Sequence, residues 1–90
     1  MSTLEIKVTG RVHGVGFRNF VYTQAVAERI TGEVWNGKDG AVYVIAQHKD
    51  PKKLSELAES LKSGPGYVAA VSQQEGKADP YERFRITRDR

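Results

Sequence analysis

The chain has 90 residues, of which 39% are hydrophobic and 28% charged, and its formal net charge is +3 at neutral pH. These values predict one small domain with a single modest core, and the positive charge favours anionic ligands. The absence of cysteine excludes disulfides, thiolate catalysis and cysteine-based zinc sites, and no apolar run approaches the ~18 residues of a membrane span.

The first residues show a strand pattern followed by a glycine-rich stretch. Leu4, Ile6 and Val8 alternate with polar residues, which predicts a half-buried strand. Three glycines lie between positions 10 and 16, directly before a segment with a helical pattern.

Residues 17–30 contain no glycine or proline and predict the first helix. Its apolar pattern is broad. The predicted buried face consists of Phe20, Thr23, Ala27 and Ile30, with Val26 beside them. Val21 and Ala25 lie off this face, and Gly32 ends the helix.

A hairpin follows the first helix. Residues 33–36 and 41–47 predict two strands, the second rich in Val, Ile and Tyr. Between them, the stretch from Asn36 and Gly37 to Gly40 has the composition of a hairpin turn.

The second helix has the clearest pattern in the chain. Asp50 is the predicted N-cap and Pro51 the first helical residue. Apolar residues at helical spacing follow, namely Leu54, Leu57, Ala58 and Leu61. Glycines and a proline at 63–66 end the helix.

Two further strands complete the predicted fold. Residues 67–74 form the fourth strand, 75–80 are polar and rich in turn residues, and Phe84 and Ile86 mark a short final strand. The order βαββαβ plus a terminal strand predicts an α+β, ferredoxin-like sandwich. Both helices then cover one face of a mostly antiparallel sheet.

The stretch 10–18 predicts an anion site. A glycine-rich turn that enters a helix directs unpaired N–H groups at one point of positive potential. Arg18 adds a guanidinium that can bind two oxygens of one phosphate. A tight turn without any ligand is the alternative. The Walker A and dinucleotide-binding motifs are excluded, because no Gly-Lys-Ser/Thr follows and Gly14-Val15-Gly16 lacks a third glycine.

Residues 10–18, Gly-Arg-Val-His-Gly-Val-Gly-Phe-Arg, resemble the first signature of the acylphosphatases. Residues 32–36, Gly-Glu-Val-Trp-Asn, with Asp39-Gly40, resemble the second. The resemblance covers essentially the whole chain and implies an acylphosphatase-like domain over 1–90 with the ferredoxin-like fold. It also implies hydrolysis of acyl phosphates to a carboxylate and inorganic phosphate. The chain departs from the family pattern at His13, Glu33, Trp35 and Gly37, where His13 replaces the usual glutamine and Gly37 a Thr or Ser.

The chemistry of an acyl phosphate sets what the site must do. The carboxylate leaves without being protonated, so the site must bind the phosphoryl group, stabilise its charge and place a water in line. The predicted phosphate-binding loop is Val12, His13, Gly14, Val15, Gly16 and Phe17. Arg18 is predicted to bind the phosphate and Asn36 to position the water, and the resemblance implies the same two roles. Taken singly, a surface arginine and a plain hairpin asparagine are the commoner cases.

The remaining polar and aromatic residues have simpler interpretations. His13 is predicted to face solvent or to pack, with substrate contact as the alternative, and His48 to lie at the surface. Trp35 and Tyr43 are interpreted as sheet residues. The basic C-terminal residues are interpreted as a solvated strand edge; they are Arg83, Arg85, Arg88 and Arg90. No His, Asp and Glu set has metal-ligand spacing, so we predict neither a metal nor another cofactor.

Two rival functions remain at this stage. An RNA-binding module would need aromatics on central strands, and residues 38–44 match that motif only weakly. A domain of a larger carbamoyl-phosphate-handling protein is the second rival, although the chain's end at residue 90 favours a stand-alone enzyme. We therefore predict a cytoplasmic monomer with an acyl phosphate as substrate and with phosphate or sulfate as a competing anion. Neither nucleic acid nor a membrane is a predicted partner.

Overall fold

A computed structural model gives the fold and describes residues 1–88 and 90. The elements in chain order are β1 (Ser2–Arg11), α1 (Phe17–Ala27), β2 (Thr31–Asn36), β3 (Val42–His48), α2 (Pro51–Ser60), β4 (Tyr67–Glu75) and β5 (Phe84–Thr87). A 3-10 turn at Leu61–Ser63 extends α2. No helix in the described part of the chain is long and apolar enough to cross a membrane.

The strands form a five-stranded sheet in the order β4-β1-β3-β2-β5. Strand β1 pairs antiparallel with β3 and β4, and β2 pairs antiparallel with β3. Strand β5 is added beside β2 and runs parallel to it. The predicted ferredoxin-like sandwich with a terminal strand is confirmed, including the mostly antiparallel sheet.

One core lies between the helices and the sheet. Alternate residues of the inner strands point into it, as Ile6, Val8, Val34 and Val44 do. Helix α2 begins as predicted. Asp50 is its N-cap, and the Asp50 side chain accepts a hydrogen bond from the Lys52 N–H at 3.0 Å. Its predicted apolar residues are all buried; they are Leu54, Leu57, Ala58 and Leu61.

The prediction for α1 was wrong about its end and its buried face. The helix ends at Ala27 instead of residue 30, and the residues that it buries are Phe17, Val21 and Ala25. Ile30 is buried in the turn after the helix, where its N–H donates to the Ala25 carbonyl at 2.9 Å. Ile30 lies outside the helix, so it cannot belong to a helical face. Because the prediction included it, the predicted face was rotated about the helix axis away from the face that is buried. Two residues of the predicted face, Thr23 and Ala27, are exposed instead, as is Val26 beside it.

Gln47 attaches the polar connection between β4 and β5 to the sheet. Its side chain is buried, and Nε2 lies 3.2 Å from Thr3 Oγ1 and from the Ala78 and Asp79 carbonyl oxygens. Its Oε1 accepts a hydrogen bond from the Tyr81 N–H at 2.9 Å. Because this connection leads into β5, Gln47 helps to fix the position of the last strand.

Candidate active site

Three strand ends meet at one edge of the sheet. Strands β1, β2 and β5 run in the same direction, because β1 and β2 are both antiparallel to β3 and β5 is parallel to β2. Val42, at the start of β3, is paired with Val8 on one side and with Asn36 on the other. The topology therefore brings the loop after β1, the end of β2 and the residue after β5 to one place.

The loop between β1 and α1 spans residues 12–16, since Gly10 and Arg11 belong to β1. Val12 and Phe17 are both buried and anchor its two ends in the core. Gly14 has φ 71° and Gly16 φ 82°, and a Cβ added to either would meet no atom within 4 Å. These glycines are therefore required for their left-handed backbone and not for space.

The N-terminus of α1 opens onto this loop. Gly16 is its N-cap, no side chain caps it, and its first turn contains no acidic residue. The Phe20 N–H bonds to the Gly16 carbonyl at 3.1 Å, so the N–H groups of the three preceding residues have no intrahelical acceptor. These groups and the helix dipole give this end a positive potential.

Arg18 and Asn36 line one small cavity of about 100 Å³ with Gly14 and Gly16. Ligand pockets for drug-sized molecules measure about 300–1,000 Å³, so this cavity suits a group of phosphoryl size. The Asn36 Oδ1 is buried and has no hydrogen-bond partner within residues 1–88 and 90. A buried acceptor in this state is destabilising unless a ligand or water donates to it.

Comparison with known proteins shows the family of this chain. The family model described as Acylphosphatase matches residues 4–86. The chain belongs to the acylphosphatase family. It is 44% identical to the acylphosphatase of Solibacter usitatus over 88% of this chain and 83% of that protein. The crystal structure of acylphosphatase from Bacillus subtilis superposes with a TM-score of 0.90 at 34% identity and covers 97% of this chain and 99% of that one.

The predicted resemblance and the prediction of an enzyme of the acylphosphatase family are thus confirmed. The same domain also occurs within longer proteins. The chain is 35% identical to the Carbamoyltransferase HypF of Synechocystis over 96% of this chain and 11% of that protein.

His13 connects the two signature segments of the acylphosphatase family within this chain. Its Nε2–H donates to the Ala41 carbonyl oxygen at 2.9 Å. The same carbonyl accepts the Gly37 N–H at 2.8 Å, which closes the hairpin turn after Asn36. Neither His13 nor Val15 lines the cavity.

The family departure at Gly37 has a steric reason. A Cβ at this position would lie 2.3 Å from Tyr43 Cε2 and 2.7 Å from Asp39 Oδ1. The Tyr43 hydroxyl donates to Asp39, and this bond, followed by that from the Ala41 N–H, lowers the pKa of Asp39. A larger residue at 37 would therefore require the Tyr43 and Asp39 side chains to shift.

Glu33, which departs from the family pattern, is a charged residue at a buried position. Its side chain is only 5% exposed, and its Oε1 accepts hydrogen bonds from the Tyr81 hydroxyl at 2.7 Å and from Arg90 Nη1 at 2.8 Å. The Thr87 hydroxyl donates to Oε2. Burial alone would raise the pKa of Glu33, but the hydrogen bonds from Thr87 and Tyr81 and the charges of Arg90 and Arg85 together lower it.

All four arginines of the predicted solvated edge are exposed, but two of them also have defined places beside β2. Arg88 lines the cavity beside Arg18 and Asn36. Arg90 pairs with Glu33, and its guanidinium lies 3.8 Å from the centroid of the Trp35 ring. Nothing local in the sequence distinguishes these two from Arg83 and Arg85.

Trp35 and Tyr43 are residues of β2 and β3, as predicted, and their rings stack with centroids 5.7 Å apart. His48 accepts a hydrogen bond from the Asp50 N–H at 2.9 Å. In the described residues, no group of three or more His, Cys, Asp and Glu side chains could hold a metal ion.

Proposed function

We propose that this chain hydrolyses acyl phosphates to a carboxylate and inorganic phosphate in the cavity that Arg18 and Asn36 share. One observation carries the proposal. Arg18, Asn36 and the uncapped N-terminus of α1 line the same cavity of about 100 Å³, and the Asn36 Oδ1 has no hydrogen-bond partner among the described residues.

The first step is binding of the phosphoryl group. The backbone N–H groups of the loop and of the first turn of α1 donate to its oxygens, and the Arg18 guanidinium donates to two of them. The donors are held in place before the substrate arrives, so they stabilise charge in the transition state without reorganising.

Asn36 positions the attacking water. Its Oδ1 accepts one O–H of the water, which leaves a lone pair of the water oxygen directed at phosphorus. The water oxygen bonds to phosphorus as the bond between phosphorus and the carboxyl oxygen breaks in line with it. The electron pair of that bond leaves with the carboxylate, and a phosphate oxygen takes the proton that the water loses.

The chemistry of the leaving group explains why no acid is needed. A carboxylate is a stable anion at neutral pH, because carboxylic acids have pKa values of about 4. An alkoxide would need a proton donor, and no carboxylic acid or histidine of the described residues lines the cavity. We therefore expect hydrolysis of acyl phosphates but not of alkyl phosphates.

The testing experiment measures phosphate release by purified protein in the presence of a metal chelator. We expect release from acetyl phosphate, at least 100-fold slower release from glycerol phosphate, and loss of activity in Arg18→Gln, since removing one preorganised donor costs about 10²–10³ in kcat. Activity that disappears with chelator and returns with a divalent ion would contradict the proposal. So would equal rates on the two substrates.

Further expectations belong to this proposal. Inorganic phosphate and sulfate compete with substrate, because both are anions that fit the same donors. The protein acts in the cytoplasm. It is a monomer, which light scattering tests, and residues 1–90 form one domain, which limited proteolysis tests. The charge of the site is supplied by arginine and amides, so no cofactor is required.

A further inference from the structure

Arg88 lies at the same cavity as the two proposed catalytic residues. In the parallel pairing of β2 with β5, Trp35 is opposite Thr87, which brings the next residues, Asn36 and Arg88, side by side. Ile86 packs against the core on the side of the helices. Arg88 is two residues further on, directly after the end of β5, and continuing the alternation of the strand places it on the same face. Its presence in the cavity wall agrees with this placement.

Among residues 1–88 and 90, the charged residues of the cavity wall are both positive. They are Arg18 and Arg88, and no carboxylate of these residues lines the cavity. Within residues 1–88 and 90, neither arginine has a carboxylate oxygen within 4.0 Å. Two guanidinium groups at one small cavity repel each other, and an anion between them converts that repulsion into attraction.

Arg88 is held from both sides along the chain. The Thr87 hydroxyl and Arg90 Nη1 donate to different oxygens of the buried Glu33 carboxylate. The Arg90 guanidinium also lies against the Trp35 ring. These contacts attach Thr87 and Arg90, which lie on either side of Arg88 in the sequence, to β2.

We propose that Arg88 is a second anion-binding arginine of this site, which binds the phosphoryl group from the side of β5 while Arg18 binds it from the N-terminus of α1. The inference rests on the proposed function for the identity of the ligand. It deepens that function because two guanidinium groups select a dianionic phosphoryl group over a monoanion of the same shape.

The test measures binding of inorganic phosphate by calorimetry at fixed pH and ionic strength, without any substrate. Arg88→Gln removes the charge, Arg88→Lys keeps it, and Arg18→Gln removes the first arginine. Arg83→Gln is the matched control, since Arg83 is exposed, precedes β5 and does not line the cavity.

We expect Arg88→Gln to weaken phosphate binding about ten- to hundredfold, as the loss of one charge-assisted hydrogen bond predicts. Arg88→Lys should lie between Arg88→Gln and wild type, and Arg83→Gln should stay within about twofold of wild type because only distant, screened charge is lost. The thermal midpoint should not fall in any of the four single variants, because these side chains are not part of the core and removing either cavity arginine relieves repulsion.

Two outcomes would overturn the inference in different ways. If Arg18→Gln loses phosphate binding while Arg88→Gln behaves like Arg83→Gln, Arg88 is not a ligand and the proposed function stands. If wild-type protein binds no phosphate even at millimolar concentration, both the inference and the phosphate site on which the proposed function depends are wrong.

Discussion

His13 donates a hydrogen bond from Nε2–H to the carbonyl oxygen of Ala41, 2.9 Å away. These two residues are 28 positions apart and belong to the loop after β1 and the turn after β2. The bond joins the loop before Arg18 to the turn after Asn36. It therefore links the segments that carry the proposed phosphate-binding and water-positioning groups.

Replacing His13 tests this connection. His13→Gln keeps an N–H donor of similar reach, so we expect kcat/KM within about twofold of wild type. His13→Leu removes the donor and should lower kcat/KM about two- to tenfold, the range that one net hydrogen bond supports. Steady-state kinetics on an acyl phosphate checks both variants. Equal kinetics in the two would show that the hydrogen bond does not align the loops.

Replacing Gly16 tests whether the predicted phosphate-binding loop needs a left-handed backbone at this position. An alanine at φ 82° would meet no neighbour but would be strained, at a cost of about 1–2 kcal/mol. We expect Gly16→Ala to unfold at lower denaturant concentration and to bind phosphate more weakly. Gly16→Asn should be milder, because asparagine tolerates this conformation better. Chemical denaturation and phosphate titration measure the two effects, and identical losses in both variants would contradict the backbone explanation.

Arg18 and Arg11 provide a matched pair of arginines in the first signature. Lysine keeps the charge but cannot donate two parallel N–H groups to two phosphate oxygens. We expect Arg18→Lys to lower kcat/KM by about 10²–10³. Arg11→Lys should be far milder, because Arg11 is exposed at the end of β1 and does not line the cavity. Circular dichroism confirms folding of both, and equal damage would remove Arg18 from its proposed role.

Local signals in the sequence were sufficient for most elements. Helix α2 follows from a capping aspartate, a proline and four apolar residues at one spacing, and all of these act within the helix itself. The hairpin after Asn36 follows from its glycines in the same way. The end of α1 did not follow, because Ile30 is buried by the turn after the helix and the sequence shows only that it is apolar.

The second arginine at the cavity could not be predicted from the sequence. Arg88 acquires its position because β5 pairs with β2, and because Glu33 bonds residues 54 and 57 positions later in the chain. The sequence of one chain does not show which distant residues pair with each other. The departure at Glu33 was the only signal available, and its meaning required the position of the last strand.

Replacing Asn36 tests whether this residue acts in the chemical step or in phosphate binding. Asn36→Ala removes the water acceptor and should lower kcat about 10²-fold or more, since a misplaced reactant costs about that much. Phosphate affinity should change little, because the water is used in the transition state and not in binding the phosphate ion. Asn36→Asp should instead weaken phosphate binding by charge repulsion. A loss of phosphate affinity in Asn36→Ala as large as the loss of rate would show that Asn36 holds the substrate.

Replacing Glu33 tests how the C-terminal segment is attached, because the stability that the ionised Glu33 carboxylate contributes depends on pH. The folded-state pKa of Glu33 lies below the usual glutamate value of about 4.3, so the ionised carboxylate stabilises the fold. That contribution is complete above the unfolded-state pKa and is lost as the pH falls through the folded-state pKa. Glutamine at position 33 has no such dependence, because it does not titrate.

We therefore expect Glu33→Gln to lower the free energy of unfolding at pH 7 by about 1–3 kcal/mol, the contribution of hydrogen bonds to a charged group. The difference from wild type should shrink as the pH falls below about 4, where wild type loses the same carboxylate. Glu59→Gln is the control, because the Glu59 side chain is 73% exposed and pairs only with Lys62 among the described residues. Urea titrations from pH 3 to pH 7 measure all three proteins. A Glu33→Gln difference that stays constant over this range would mean that packing of the side chain, and not its charge, attaches the segment that carries Arg88.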